Sequence, residues 1–129
     1  MAEANGMKIL VTGGLGYIGS HAVVELIEAN FQPIIIDNLS NTDVKNLAGI
    51  NSICGLNYDF HQIDCTDYDA MKTIFESHED IKGVIHFAGY KSVEESISNA
   101  EKYYSNNLNS MGNLIRLCEE FSIDNFIFS

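Results

Sequence analysis

Lys8-Ile-Leu-Val-Thr-Gly-Gly-Leu-Gly-Tyr-Ile-Gly-Ser-His21 is the stretch that decides the fold. A short apolar run (Ile9, Leu10, Val11) ends in Thr12, and Gly13, Gly16 and Gly19 follow at three-residue spacing. The amphipathic segment Ala22-Val-Val-Glu-Leu-Ile-Glu-Ala29 comes next. This order predicts strand, tight glycine turn, helix. Such a turn brings backbone N–H groups close to a pyrophosphate and aims the positive end of a helix at the anion. The glycines supply positive φ, close backbone approach and close helix–strand packing.

Outward from that turn, apolar runs alternate with helical patterns, the mark of repeated βα units and a parallel sheet. Strands are expected at 8–12, 33–37, 59–63, 83–89 (running into a loop) and 125–129. Helices are expected at about 17–29, 43–53, from Thr66 or Asp67 to Ser77, and 100–121. Asn30 suits a left-handed cap of the first helix. The run Pro33-Ile-Ile-Ile-Asp37 suits burial on both sheet faces. In the last helix, Leu108, Met111, Leu114, Ile115 and Cys118 are expected on one face. The predicted fold is α/β, a Rossmann-type doubly wound parallel sheet broken off after its fifth strand. Because the sequence stops inside an apolar strand, a single domain over 1–129 that is part of a longer protein is expected.

The net charge of −11 over 129 residues, with no basic run, argues against nucleic acid or an anionic membrane as partner. Cys54, Cys65 and Cys118 are widely spaced and odd in number, as expected of reduced thiols. No stretch is apolar and long enough to span a bilayer, and residues 1–6 read as a floppy lead-in rather than a signal peptide. A cytoplasmic location is the expectation.

Asp37 lies eighteen residues past Gly19, at the end of the next strand. A carboxylate there accepts hydrogen bonds from adenosine ribose hydroxyls and repels a 2′-phosphate, so NAD is expected over NADP. Asp64, with the Cys65 backbone, is placed to meet adenine; alternatively it caps the following helix. His86-Phe-Ala-Gly-Tyr-Lys91 closes the fourth strand where ligands sit in open α/β sheets, and small Ala88 and Gly89 admit a cofactor. Lys91 supplies a cation near it, or is simply solvated. His86 reads as a packed strand residue. The other histidines (His21, His61, His78) lack metal-ligand spacing, and no metal is assigned. Tyr68-Asp-Ala-Met-Lys72 has the Tyr-x-x-x-Lys spacing of hydride-transfer bases. It opens the helix after the third strand, away from the sheet's switch point, and is read as structural.

Taken together, these residues resemble the amino-terminal half of the UDP-glucose 4-epimerases, within the extended short-chain dehydrogenase/reductase family. The resemblance rests on Val11–His21, Asp37-Asn-Leu-Ser-Asn41, Val84-Ile-His-Phe-Ala-Gly-Tyr-Lys91, Tyr103-Tyr-Ser-Asn-Asn107 and Asn125–Ser129. It covers nearly everything after Met7. Ala100, where many members have proline, and Glu94, where glycine is common, depart from the pattern without touching the expected cofactor contacts.

The resemblance implies that Gly13, Gly16, Tyr17 and Ile18, with Gly19 in the same turn, line the pyrophosphate. Asp37, Asn38, Asn41 and Thr42 would surround the adenosine ribose and phosphate. Asp64 and Cys65 would flank adenine, and Phe87, Ala88, Gly89, Lys91 and Asn106 the rest of NAD. The implied reaction interconverts UDP-glucose and UDP-galactose: hydride leaves C4 for NAD and returns to the other face of a 4-keto sugar. The family's Tyr-x-x-x-Lys base and sugar-nucleotide domain fall after the fifth strand, so no catalytic residue is assigned and the 129 residues are expected to be inactive alone. Two alternatives stand: another NAD-dependent sugar-nucleotide epimerase or dehydratase, and a non-catalytic dinucleotide-binding module. The helix at 100–121 resembles the family's dimerisation surface, so a homodimer through it is expected.

Overall fold

A computed structural model describes residues 7–39, 45–54, 59–78, 80–87 and 100–128, with the side chains of 53, 54, 100, 102–104 and 106 left aside. The elements run β1 (Lys8–Thr12), α1 (Tyr17–Glu28), β2 (Gln32–Asp37), α2 (Lys45–Cys54), β3 (Asp59–Gln62), α3 (Tyr68–Ser77), β4 (Ile81–His86), α4 (Ala100–Glu120) and β5 (Asn125–Phe128). The strands form one sheet in the order β3-β2-β1-β4-β5, and every neighbouring pair is parallel. The chain therefore reverses its direction of travel across the sheet between β1 and β4, and the crevice above their carboxyl ends is a topological switch point.

Period-two alternation distributes the strand side chains to two layers. Leu10, Ile34, Ile36 and Val84 pack with Met71, Ile74 and Phe75 of α3 and Leu114, Leu117 and Cys118 of α4. Val11 and Ile35 face the other way, against Val23 of α1 and Ile50 of α2. Ile34, Ile35 and Ile36 are all buried, as a strand covered on both faces requires.

Several boundaries move by a residue or two. β2 starts at Gln32, whose N–H reaches the Met7 carbonyl at 2.9 Å. β4 begins at Ile81 because Ile81 already pairs with Lys8; a register irregularity between Lys8 and Ile9 absorbs Lys82. Its last described strand residue is His86, and Phe87 is already outside the strand; 88 and 89 lie outside the described residues. β3 ends at Gln62, and the Ile63 N–H turns to the Asp37 carbonyl at 3.2 Å. Asp67, rather than Thr66, caps α3, accepting from the Ala70 N–H at 3.2 Å. Asn30 has φ 69°, the left-handed geometry expected after α1.

The core takes only part of the apolar face expected of α4 from its spacing. Ser110, Leu114, Leu117 and Cys118 are buried, whereas Leu108 and Ile115 are half exposed, at 52% and 50%. The helix is rotated so that Leu117, absent from the expected stripe, enters the core between the sheet and α3. Met111 lies between the two stripes, partly buried.

Candidate functional site

The glycine turn sits at the β1 end of the switch point. Gly13 has φ 67°, a conformation that a side chain resists, and its N–H donates to the Ile36 carbonyl at 2.7 Å. The Gly16 N–H then closes back on the Gly13 carbonyl at 3.1 Å. A Cβ on Gly19 would stand 2.0 Å from the Gly13 carbonyl oxygen, so only glycine lets α1 approach the turn this closely. Gly16 is the N-cap of α1 and provides no side-chain cap; the first turn carries no acid. The leading amides of α1 therefore have no intrahelical acceptor and no acid within their own first turn, and present positive potential at the rim. The Tyr17 and Ile18 side chains point to solvent (82% and 58% exposed), leaving their backbone to face an anion.

Asp37 stands beside this turn. Its buried carboxylate accepts from the Leu15 N–H at 3.1 Å through Oδ2 and from the Leu39 N–H at 2.9 Å through Oδ1. The second bond holds Leu39 at φ 62°, a strained position for a branched residue. Two carboxylate oxygens offer about four lone-pair sites, the kind of acceptor a pair of ribose hydroxyls requires. Asn46 of α2 adds a further tie, donating to the Leu15 carbonyl.

Asp64 is drawn into its own loop. Oδ1 accepts from the Thr66 N–H (2.9 Å) and hydroxyl (2.8 Å), and Oδ2 accepts from Asn38 Nδ2 at 3.4 Å. Burial pushes its pKa up, but the Thr66 and Asn38 hydrogen bonds outweigh that and leave it below the usual 3.8. The Asn38–Asp64 contact joins the loops after β2 and β3, the two places expected to flank adenosine. Cys65 is buried, and burial first, then the Asp64 and Asp37 charges, pushes its thiol up to about 12. Its carbonyl accepts from Asn113 Nδ2 of α4 at 2.9 Å, a contact that sequence spacing does not reveal.

At the end of β4, the Phe87 N–H donates to the Thr12 carbonyl at 2.9 Å, carrying the chain past the glycine turn. His86 is buried, with Nδ1 2.6 Å from Thr12 Oγ1 and its ring near Phe126 and Phe128. It is a packed strand residue, as expected. Asn41, Thr42, Ala88, Gly89 and Lys91 lie outside the described residues, and Asn106 is described by its backbone alone.

Tyr68 and Lys72 are engaged elsewhere. The Arg116 guanidinium lies 4.2 Å from the centroid of the Tyr68 ring, and Lys72 pairs with Glu120 at 3.3 Å. Both contacts fasten α3 to α4. A cleft of about 480 Å³ lies between the end of α4 and the start of β5, lined by Ile115, Cys118, Glu119, Asp124 and Phe126. It opens at the amino rim of the sheet, carries two acids and suits no phosphate.

Residues 9–129 match the NAD dependent epimerase/dehydratase family. The chain is 44% identical over 122 residues to UDP-glucose 4-epimerase of Dictyostelium discoideum, covering 95% of this chain and 35% of that protein. It is 42% identical over 123 residues to the Bacillus subtilis UDP-glucose 4-epimerase, covering 95% and 36%. Among solved structures, UDP-glucose 4-epimerase from Bifidobacterium longum in complex with NAD+ and UDP aligns with a TM-score of 0.91 at 34% identity. That alignment covers 95% of this chain and 36% of the other. The chain thus spans about a third of the length of the relatives it matches. With its five-stranded parallel sheet and its glycine turn, the chain belongs to the NAD dependent epimerase/dehydratase family.

Proposed function

We propose that this chain holds NAD at the carboxyl rim of its sheet, as the cofactor-binding part of a UDP-glucose 4-epimerase. One observation carries the reading: the uncapped, acid-free start of α1 lies beside a buried Asp37 carboxylate that is bonded to the same glycine turn. These residues fit a dinucleotide. The amides of Tyr17, Ile18 and Gly19 oppose the diphosphate charge, while Gly13 and Gly16 close the turn that brings the backbone up to it. Asp37 accepts from the ribose hydroxyls and disfavours a 2′-phosphate, which selects NAD over NADP. Asn38, Asp64 and the Cys65 backbone border adenine, with Asn41 and Thr42 on the adenosine side. Phe87, Ala88, Gly89, Lys91 and Asn106 border the nicotinamide half.

Bound there, NAD supplies a reversible hydride acceptor for inversion at C4 of a UDP-hexose, a step of galactose metabolism. The chain's own residues bind and orient it; Tyr68 and Lys72 are committed to packing and supply no base. The 129 residues by themselves are therefore expected to bind NAD without epimerising a sugar. A cytoplasmic setting accords with the described helices, none of which is long and apolar enough to cross a membrane. The acidic charge disfavours nucleic acid and anionic membranes as partners. Leu108 and Ile115, half exposed on α4 with the partly buried Met111 beside them, form an outward apolar patch suited to a homodimer.

Titration of the chain with NAD, followed by a UDP-galactose epimerisation assay, tests the proposal. Saturable NAD binding without turnover supports it. Turnover would refute the absence of a base, and lack of NAD binding would remove the cofactor reading. Monomeric sedimentation at micromolar concentration would remove the homodimer.

A further inference from the structure

At the amino rim, opposite the glycine turn, three side chains distant in sequence converge. Asp59 and His61, two apart on β3, project to the same sheet face by strand alternation. His78 follows α3, and its position is set by bonds from its N–H to the Ile74 and Phe75 carbonyls and from the Ile81 N–H to its own carbonyl. The Asp59 carboxylate lies between the two rings: Oδ1 is 3.3 Å from His61 Nε2 and Oδ2 is 3.2 Å from His78 Nε2. The imidazoles meet edge-on, with centroids 6.2 Å apart.

One observation sets this group apart from an ordinary surface ion pair. His61 Nε2 is buried and has no hydrogen-bond partner; although close to Asp59, it is not aligned with it. A buried polar atom left without a partner carries a desolvation cost, and a metal ion is one way to satisfy it.

We propose that Asp59, His61 and His78 bind a divalent cation of the zinc type. One ligand atom from each residue already lies within 4.8 Å of the others. Zinc bonds of about 2 Å in tetrahedral geometry put ligand atoms about 3.4 Å apart, so closure needs only small side-chain rotations. Two imidazoles and one carboxylate are a common donor set for such ions, with water in the fourth position. The surroundings are mixed. Lys8 Nζ stands 3.5 Å from His78 Nδ1, a cation facing the site, but it is also paired with Asp80 at 3.0 Å. With neutral imidazoles, Asp59 and Asp80 outweigh Lys8 by one negative charge. Binding turns His78 to the tautomer with its proton on Nδ1 and leaves Lys8 to Asp80. The ion fastens the edge strand β3 to the turn after α3.

The test uses the full chain without a histidine tag and Zn²⁺ in competition with a chromophoric chelator near neutral pH. One equivalent of zinc should bind, and His61→Asn or His78→Asn should weaken it by more than about 100-fold, since even residues behind a metal's ligands cost 10–100-fold. Lys8→Met should tighten binding, an effect that a purely structural ion pair does not produce. Undiminished binding in the histidine variants, or none in the parent chain, overturns the proposal. Should both variants fail to fold, the Co²⁺-loaded parent decides. Tetrahedral d–d absorption without a thiolate charge-transfer band supports the site, and a thiolate band assigns the metal to cysteine instead.

Discussion

The backbone amide of Leu15 donates to Asp37 Oδ2 at 3.1 Å, which ties the glycine turn after β1 to the carboxyl end of β2. The residue expected to grip the ribose therefore also shapes the cradle expected to grip the diphosphate. On the proposed reading, binding and loop geometry are coupled through one carboxylate.

Asp37→Ala should thus affect both. Hydrogen bonds to a charged group are worth about 1.5–3 kcal/mol, so a comparable loss of folding stability is expected from chemical denaturation. If a ribose bond is lost as well, NAD affinity should fall about 10–100-fold in a fluorescence titration. Unchanged affinity in a folded variant would take Asp37 out of the site.

Two glycine-to-alanine changes should have opposite signs. At Gly19 the new Cβ would meet the Gly13 carbonyl oxygen at 2.0 Å, and neither backbone can yield cheaply. A loss of at least about 3 kcal/mol is expected, near or beyond the upper range for overpacking. Gly112 lies in α4 with open space around its Cα, and alanine there should stabilise by about 0.5–1 kcal/mol. Paired urea melts distinguish the two; equal effects would contradict the packing at the turn.

Stability should fall at both ends of the pH scale, for different groups. Asp64 has a lowered folded pKa, so its contribution is present above the unfolded value near 3.8 and is lost as pH falls through the folded one. Cys65 is raised to about 12 and Cys118, through burial, to about 11. Between about 9 and those values the unfolded chain has released thiol protons that the folded chain keeps, so stability declines as pH rises. Thermal melts from pH 8 to 11 should show a shallower decline for Cys65→Ala. An identical slope would contradict the burial of this thiol as its cause.

Removing the contacts of Tyr68 separates packing from chemistry. Arg116→Ala should cost about 0.5–1 kcal/mol, the usual value of an exposed cation–π pair. Tyr68→Phe should leave NAD affinity unchanged. A marked fall in affinity would mean that Tyr68 and Lys72 reach the cofactor after all.

Much of this architecture is legible in the residues taken in order. Three consecutive isoleucines, 34–36, announce a strand buried on both faces, and the place of Asp37 just after them marks it as a candidate site residue. The turn could be read because its glycines act through backbone sterics, which are local. The buried face of α4 was less accessible. Leu108, Met111, Leu114, Ile115 and Cys118 share helical spacing with a second stripe, Ser110, Leu114, Leu117 and Cys118, and periodicity alone does not choose between overlapping stripes. The rotation of α4 against β4 and α3 chooses, and it turns Leu108 and Ile115 outward. The Asn113 bond to the Cys65 carbonyl depends on the same rotation.

From sequence alone came the order of strands and helices, the glycine turn and its acid partner, because each is written in neighbouring residues and the stereochemistry of the chain. Only the assembled sheet decided which helix face is core, how Asp37 holds Leu15, and that Asp59, His61 and His78 meet. Those relationships join segments tens of residues apart, and their distances exist only once parallel pairing has brought the strand ends to a common rim.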